Sequence, residues 1–89
     1  MITREIEIVN KLGLHARAAA KFVALASGFD CRIDVERNGH RINGKSIMGL
    51  MMLAAAKDTT IEIFTDGNDE EQALDALEAL INNRFDEAE

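Results

Sequence analysis

Isoleucines at positions 2, 6 and 8 alternate with Thr3, Glu5 and Glu7, and this period of two predicts a half-buried strand over residues 2–9. Asn10 to Leu14 turn the chain, and the period then lengthens. Ala16 to Ser27 is rich in helix formers, with Ala19, Phe22, Val23 and Ala26 on one apolar stripe, and Gly28 is expected to stop the helix in a left-handed cap. Cys31, Ile33 and Val35 alternate with Arg32, Asp34 and Glu36. Asn38-Gly39 carries the type I′ hairpin signal leading into an antiparallel strand over His40 to Asn43. Ser46 is placed to cap a short helix over Ile47 to Met52. Thr60 to Thr65 reads as a further strand with Ile61 and Ile63 inward, broken by Asp66-Gly67. Asp69 followed by Gln72 is a capping-box-like start, after which Ala73, Leu74, Leu77, Leu80 and Ile81 form a stripe at helical spacing. The resulting order, βαββαβα, predicts an α+β class with one mostly antiparallel sheet and amphipathic helices packed on one face.

Composition narrows the picture. Eighty-nine residues, 47% hydrophobic and 29% charged, are expected to form one domain over residues 1–89. The run Met1 to Glu5 lacks an apolar signal core, and no stretch reaches the ~20 apolar residues needed to span a bilayer, so the expected location is the cytoplasm, without membrane insertion. Cys31 is the only cysteine, which leaves no internal disulfide or multi-cysteine metal site, and it reads as a small buried apolar residue. A net charge of −6, from 16 acidic and 10 basic side chains, argues against nucleic acid as a partner. The acids cluster late, at Asp66 to Glu71 and Asp86 to Glu89. The middle section carries Arg17, Lys21, Arg37, Arg41 and Lys45, which allows a locally basic face.

The candidate chemistry lies in Asn10-Lys11-Leu12-Gly13-Leu14-His15-Ala16-Arg17, where one imidazole stands at a strand-to-helix junction two positions before an arginine. The first amides of a helix have no partner within it, and the helix dipole adds partial positive charge there, so this is a place where an anion is stabilised. Imidazole has an ordinary pKa of about 6.5, which leaves a ring nitrogen free as a nucleophile near neutrality, and a phosphorylated ring remains a good donor for onward transfer. Taken alone, His15 would read as a cap or surface residue and Arg17 as a solvated cation. No Ser-His-Asp set, catalytic carboxylate pair or zinc motif is present, and neither cofactor nor metal is expected. Gly39-His40-Arg41-Ile42-Asn43-Gly44-Lys45-Ser46 does satisfy the string G-x-x-x-x-G-K-[ST] of a P-loop. Its context is wrong for nucleotide, because the first glycine lies in a hairpin turn and the residues between read as a strand.

Gly13-Leu14-His15-Ala16-Arg17 and Gly44-Lys45-Ser46-Ile47-Met48-Gly49, at this spacing and in a chain of this length, resemble the HPr family of histidine-containing phosphocarriers of the bacterial phosphotransferase system. The resemblance covers essentially the whole chain. It implies an open-faced β-sandwich, with a four-stranded antiparallel sheet in the order one, four, two, three under three helices. It also implies a carrier that is a substrate of enzymes and not itself an enzyme. His15 would take a phosphoryl group on Nδ1 from phospho-enzyme I and pass it to an enzyme II A domain. The amides of Ala16 and Arg17 and the Arg17 guanidinium would receive the phosphate oxygens. The family usually has proline after the arginine, where this chain has Ala18, a good helix former that should preserve the geometry.

Ser46, besides capping, would be the phosphosite of a bifunctional HPr kinase/phosphorylase, adding roughly −1.5 to −2 charges at the docking face. Ile47, Met48 and Met51 are assigned to that face because so short a helix cannot bury all its large side chains and methionine adapts to several partners, while Met52 is expected to pack inside. Leu14, Ala20, Lys21 and Lys45 would complete the ring around His15. Contacts of this kind are small and transient, and a monomer is expected. His40 has no ligand-spaced companions and is assigned no role, and Asp86 to Glu89 reads as a frayed acidic tail. Two alternatives stay open: the nitrogen-regulatory branch of the same family, against which the Gly44–Gly49 segment leans, and a regulatory binding module without phosphoryl transfer, against which the intact histidine site argues.

Overall fold

A computed structural model describes residues 1–89. Its elements are β1 (Ile2–Glu7), α1 (Ala16–Ala26), β2 (Arg32–Arg37), β3 (His40–Asn43), α2 (Ile47–Met52), β4 (Thr60–Asp66) and α3 (Glu70–Asn82), followed by a short turn at Arg84–Asp86. The four strands form one antiparallel sheet in the order β1-β4-β2-β3. This is the α+β class that the hydrophobic pattern predicts, in the open-faced sandwich arrangement that the family resemblance implies. Register explains which face is covered. Ile6 lies opposite Ile61, and Ile63 lies between Arg4 and Val35 with Ile42 beyond, so one face is apolar and carries the helices. The other face bears Glu5, Glu62 and Glu36 across one row. Arg4 is the exception on the inner face, and its guanidinium reaches Asp75 at 2.9 Å and Glu78 at 2.7 Å on α3.

The core joins Ile6, Ile8, Ile33, Val35, Ile61 and Ile63 of the sheet side to Ala18, Ala19, Phe22 and Ala26 of α1 and Ala73, Leu74, Leu77 and Ile81 of α3. From α2 only Leu50 is buried, with Leu53 just beyond its end. Asn38 and Gly39 both have positive φ, 52° and 81°, as a type I′ hairpin requires. That hairpin and the β3 strand following it exclude a P-loop, since the string's first glycine is the turn itself and the Lys45 ammonium is bonded to the Phe29 carbonyl at 2.7 Å.

Several local expectations are corrected. Gly28 is not left-handed; α1 ends with Ser27 still in a right-handed conformation, its amide donating to the Leu25 and Val23 carbonyls. Asp69 precedes α3 but makes no cap bond, because its carboxylate accepts the amides of Asp30 at 2.8 Å and Cys31 at 2.9 Å, a long-range tie between two loops. Met52 is 78% exposed and does not enter the core. The final residues do not fray. Phe85 is fully buried, and Arg84, Phe85 and Asp86 all have positive φ, a conformation costing non-glycine residues roughly 1–2 kcal/mol each. Burial of the Phe85 ring, worth about 1.5–3 kcal/mol, offsets part of that strain. Cys31 is buried as expected, and burial together with the Asp69 carboxylate pushes its thiol up to about 11, outside the reactive range.

Gly13 sets the exit from β1. Its φ is +68°, and a Cβ there would stand 2.4 Å from the Ala55 carbonyl oxygen, which already accepts the Leu14 amide at 2.9 Å. Gly13→Ala is therefore expected to lower the unfolding free energy by roughly 1–3 kcal/mol or more, measured from the urea midpoint at constant slope.

Candidate functional site

His15 is the N-cap of α1, with φ −75° and ψ 177°. Histidine is not a favoured capping residue, but here the ring supplies what an Asp or Ser oxygen would: Nδ1 accepts the Arg17 amide at 3.3 Å. The opposite ring nitrogen, Nε2, bonds the Glu87 carboxylate. These two partners fix the tautomer. Nδ1 faces a donor and must be bare, while Nε2 faces an acceptor and must carry the proton. The unprotonated nitrogen thus points at the amide end of α1, where an anion is welcome.

The surroundings are cationic on one side and anionic on the other. Ala16 and Arg17 are exposed in the first turn of α1, and the Arg17 guanidinium has no hydrogen bond or ion pair. A cation in a first turn opposes the helix dipole, and no acidic residue there offsets it. Helix stability therefore does not account for an arginine at this position. Lys11, Leu12, Glu87, Ala88 and Glu89 complete the walls of the depression around His15, Ala16 and Arg17.

The C-terminal segment enters the site because several bonds hold it there. Lys21 Nζ donates to the Phe85 carbonyl at 2.7 Å, and the Lys11 amide donates to the Glu89 carbonyl at 2.7 Å. Buried Asn10 spends both amide protons nearby, one on the Gly13 carbonyl at 3.0 Å and one on Glu87 Oε1 at 2.8 Å. Burial works to raise the Glu87 carboxyl pKa, yet hydrogen bonds from Asn10 and His15, with the charges of His15 and Lys21, outweigh it and hold the group below the usual carboxylate range.

The other sequence-predicted residues divide. Ser46 caps α2 as expected, its Oγ accepting the Gly49 amide at 3.0 Å. Ile47, Met48 and Met51 are exposed on α2, and Met48 reaches 72%. Ala20 is exposed on α1. Leu14 was expected on the docking face and is instead buried at 5% exposure, its amide tied to Ala55, because it anchors the loop that presents His15. Lys45 is half-buried in a separate cleft with Arg32, Asp34 and Arg41, its ammonium held by the Phe29 carbonyl, so it is not a free rim cation beside His15. Lys21 is half-buried and engaged with the Phe85 carbonyl. Sequence reading passed over Asn10 and Glu87. Phe85 was the available signal, since a large aromatic among acids needs burial and carries its neighbours with it.

A family model described as PTS-HPr, the PTS HPr component phosphorylation site, matches residues 2–83. The chain is 60% identical over 89 residues to the phosphocarrier protein HPr of Neisseria meningitidis serogroup A, covering 100% of both chains. It is 58% identical to the phosphocarrier protein HPr of Pseudomonas aeruginosa, covering 96% of each. Among solved structures, HPr-C-His from Thermoanaerobacter tengcongensis matches with a TM-score of 0.96 at 45% identity, covering 100% of both chains.

A carboxyl whose pKa is lowered in the folded state adds stability above its unfolded pKa, and that stability is lost as pH falls through the folded value. Glu87→Gln should therefore be less stable than wild type at about pH 7, with the difference shrinking toward about pH 3, as read by urea unfolding at both pH values.

Proposed function

The chain belongs to the HPr family of phosphocarriers of the phosphotransferase system, and from that membership we propose that His15 accepts a phosphoryl group through Nδ1 from phospho-enzyme I and passes it to enzyme II A domains. The observation that carries this reading is the aim of Nδ1 at the first turn of α1, where it takes the Arg17 amide at 3.3 Å. A phosphoryl group on that nitrogen displaces the weak cap bond and inherits its donor, so the amides of Ala16 and Arg17 receive phosphate oxygens in place of the imidazole. The unpaired Arg17 guanidinium supplies a bidentate partner for the same oxygens. The protein carries the group and performs no turnover of its own, and it acts as a monomer in the cytoplasm.

Ser46 is the regulatory site in this reading. Phosphorylation by an HPr kinase/phosphorylase, where the organism has one, places roughly −1.5 to −2 charges at the start of α2, beside exposed Ile47, Met48 and Met51. Those side chains, with Ala20 and Arg17, form the docking surface for donor and acceptors. The added charge favours the helix locally and repels an acidic partner. The Gly44–Gly49 segment leans toward the sugar branch of the family over its nitrogen branch. The intact pair of His15 and Arg17 supports transfer over a purely regulatory binding role.

Incubation with phosphoenolpyruvate, magnesium and enzyme I, followed by intact mass, should add one acid-labile phosphate to the wild type and none to His15→Ala. Wild type that remains unmodified with active enzymes of both branches overturns the reading. Ser46→Asp should stay folded and accept phosphate at least about tenfold more slowly, equivalent to roughly 1.4 kcal/mol in the barrier. An unchanged rate removes Ser46 from regulation.

A further inference from the structure

Glu87 is held in place by the loop that leads into α1, by the N-cap of α1 and by α1 itself. Its Oε1 accepts from buried Asn10 at 2.8 Å, its Oε2 meets His15 Nε2, and the residues on either side are tied down through Phe85 to Lys21 and through Glu89 to Lys11. Asn10 is itself the strut of the loop, since its other amide proton goes to the Gly13 carbonyl at 3.0 Å. A carboxylate that merely balanced surface charge would need none of this. We propose that Glu87 is a positioning residue of the phosphoryl relay: by holding the Nε2 proton it aims the Nδ1 lone pair and stabilises the cationic ring that exists while the phosphoryl group is carried. This rests on the reading of His15 as phosphoryl acceptor.

The chemistry balances without moving a proton. The Nδ1 lone pair forms the N–P bond as the bond between phosphorus and the donor breaks, its electron pair leaving with the donor. The ring, bonded to phosphorus at Nδ1 and to hydrogen at Nε2, is then cationic and lies against an anion. On onward transfer the N–P pair returns to Nδ1 and neutral imidazole departs. If Nε2 loses its proton, the ring must leave as imidazolate, a far poorer leaving group. Glu87 opposes that loss. The charged groups facing the pair are Lys11 from the loop, Arg17 and Lys21 from α1, and Glu89 from the C-terminal segment. The three cations disfavour a charged ring, and Glu87 is the anion in direct contact with it.

The test compares phosphorylated wild type, Glu87→Gln and Glu87→Asp, each loaded with phosphoenolpyruvate, magnesium and enzyme I. The Nε2 titration of phospho-His15 is followed by 15N NMR, and loss of phosphate is followed as a function of pH. Removing the negative charge should lower the ring pKa by roughly one unit or more, shift the pH profile of phosphate loss by the same amount, and be partly reversed by aspartate. Superimposable titrations in wild type and Glu87→Gln overturn the proposal while leaving His15 as the acceptor. A wild type that takes no phosphate sinks the acceptor reading itself, and with it this inference. Should the glutamine variant not fold, Glu87→Asp is titrated in its place, its carboxylate one methylene further from the ring. A ring pKa below that of wild type is expected, and a titration superimposable on wild type overturns the proposal.

Discussion

His15 stands where the chain leaving β1 enters α1, and the backbone around Gly13 fixes it there. The chain leaves β1, passes Asn10, and must reverse within a few residues so that α1 can lie across the sheet. It does so through the left-handed Gly13, seated so close to the Ala55 carbonyl that any side chain would collide with it. The next amide, of Leu14, is bonded to that same carbonyl, and the Leu14 side chain is buried. Three residues after His15, Ala18 is buried as well. The imidazole is thus the half-buried step between two anchors, with its direction set largely by the backbone on either side. The anchor role explains why Leu14 contributes almost nothing to the surface.

Electrostatics then distinguishes the two faces of the ring. On the Nδ1 side are helix amides and an arginine without a partner. On the Nε2 side is a carboxylate held in its charged form by Asn10, His15 and Lys21 against the cost of burial. A chain of net charge −6 therefore keeps one arginine unpaired beside the amides of a helix start, the combination that favours an anion, without an excess of basic residues around it. Most of its neighbours are already spoken for. Lys21 is committed to the Phe85 carbonyl, Lys11 to Glu89 and Lys45 to the Phe29 carbonyl in another cleft. Counting cations along the sequence overstates the basic rim for this reason.

What the sequence made legible was whatever short-range periodicity dictates. The alternating isoleucines, the stripes of α1 and α3, the Asn38-Gly39 turn and the Ser46 cap all follow from residues within a few positions of one another, and all are present in the structure. The bond that caps α1 at His15 is equally local, since the Arg17 amide is two residues away. The failures share the opposite property. Asp69 looked like a cap and instead serves loop amides 38 and 39 positions earlier, while Glu87 reaches a ring 72 positions away. Neither partner can be inferred from neighbours in the chain. Gly28 failed differently, because a helix can end on a right-handed residue whose amide finds carbonyls within the last turn.

The short helix α2 shows how the fold separates structural duty from surface. Leu50 and, just beyond the helix, Leu53 close the core on this side, and Ser46 satisfies the first turn, so nothing in the packing calls for Ile47, Met48, Met51 or Met52 to be apolar. Four exposed large apolar residues on a six-residue helix are a standing cost in solubility that the interior does not require. Under the relay reading the cost has a reason. A carrier that must leave one partner and meet another needs apolar contact without fixed shape, which unbranched methionine supplies and a branched core residue does not. Under the same reading, charge added at the Ser46 cap is felt by the exposed side chains of α2 before it is felt in the core, so regulation there acts on binding while the sheet beneath stays unchanged.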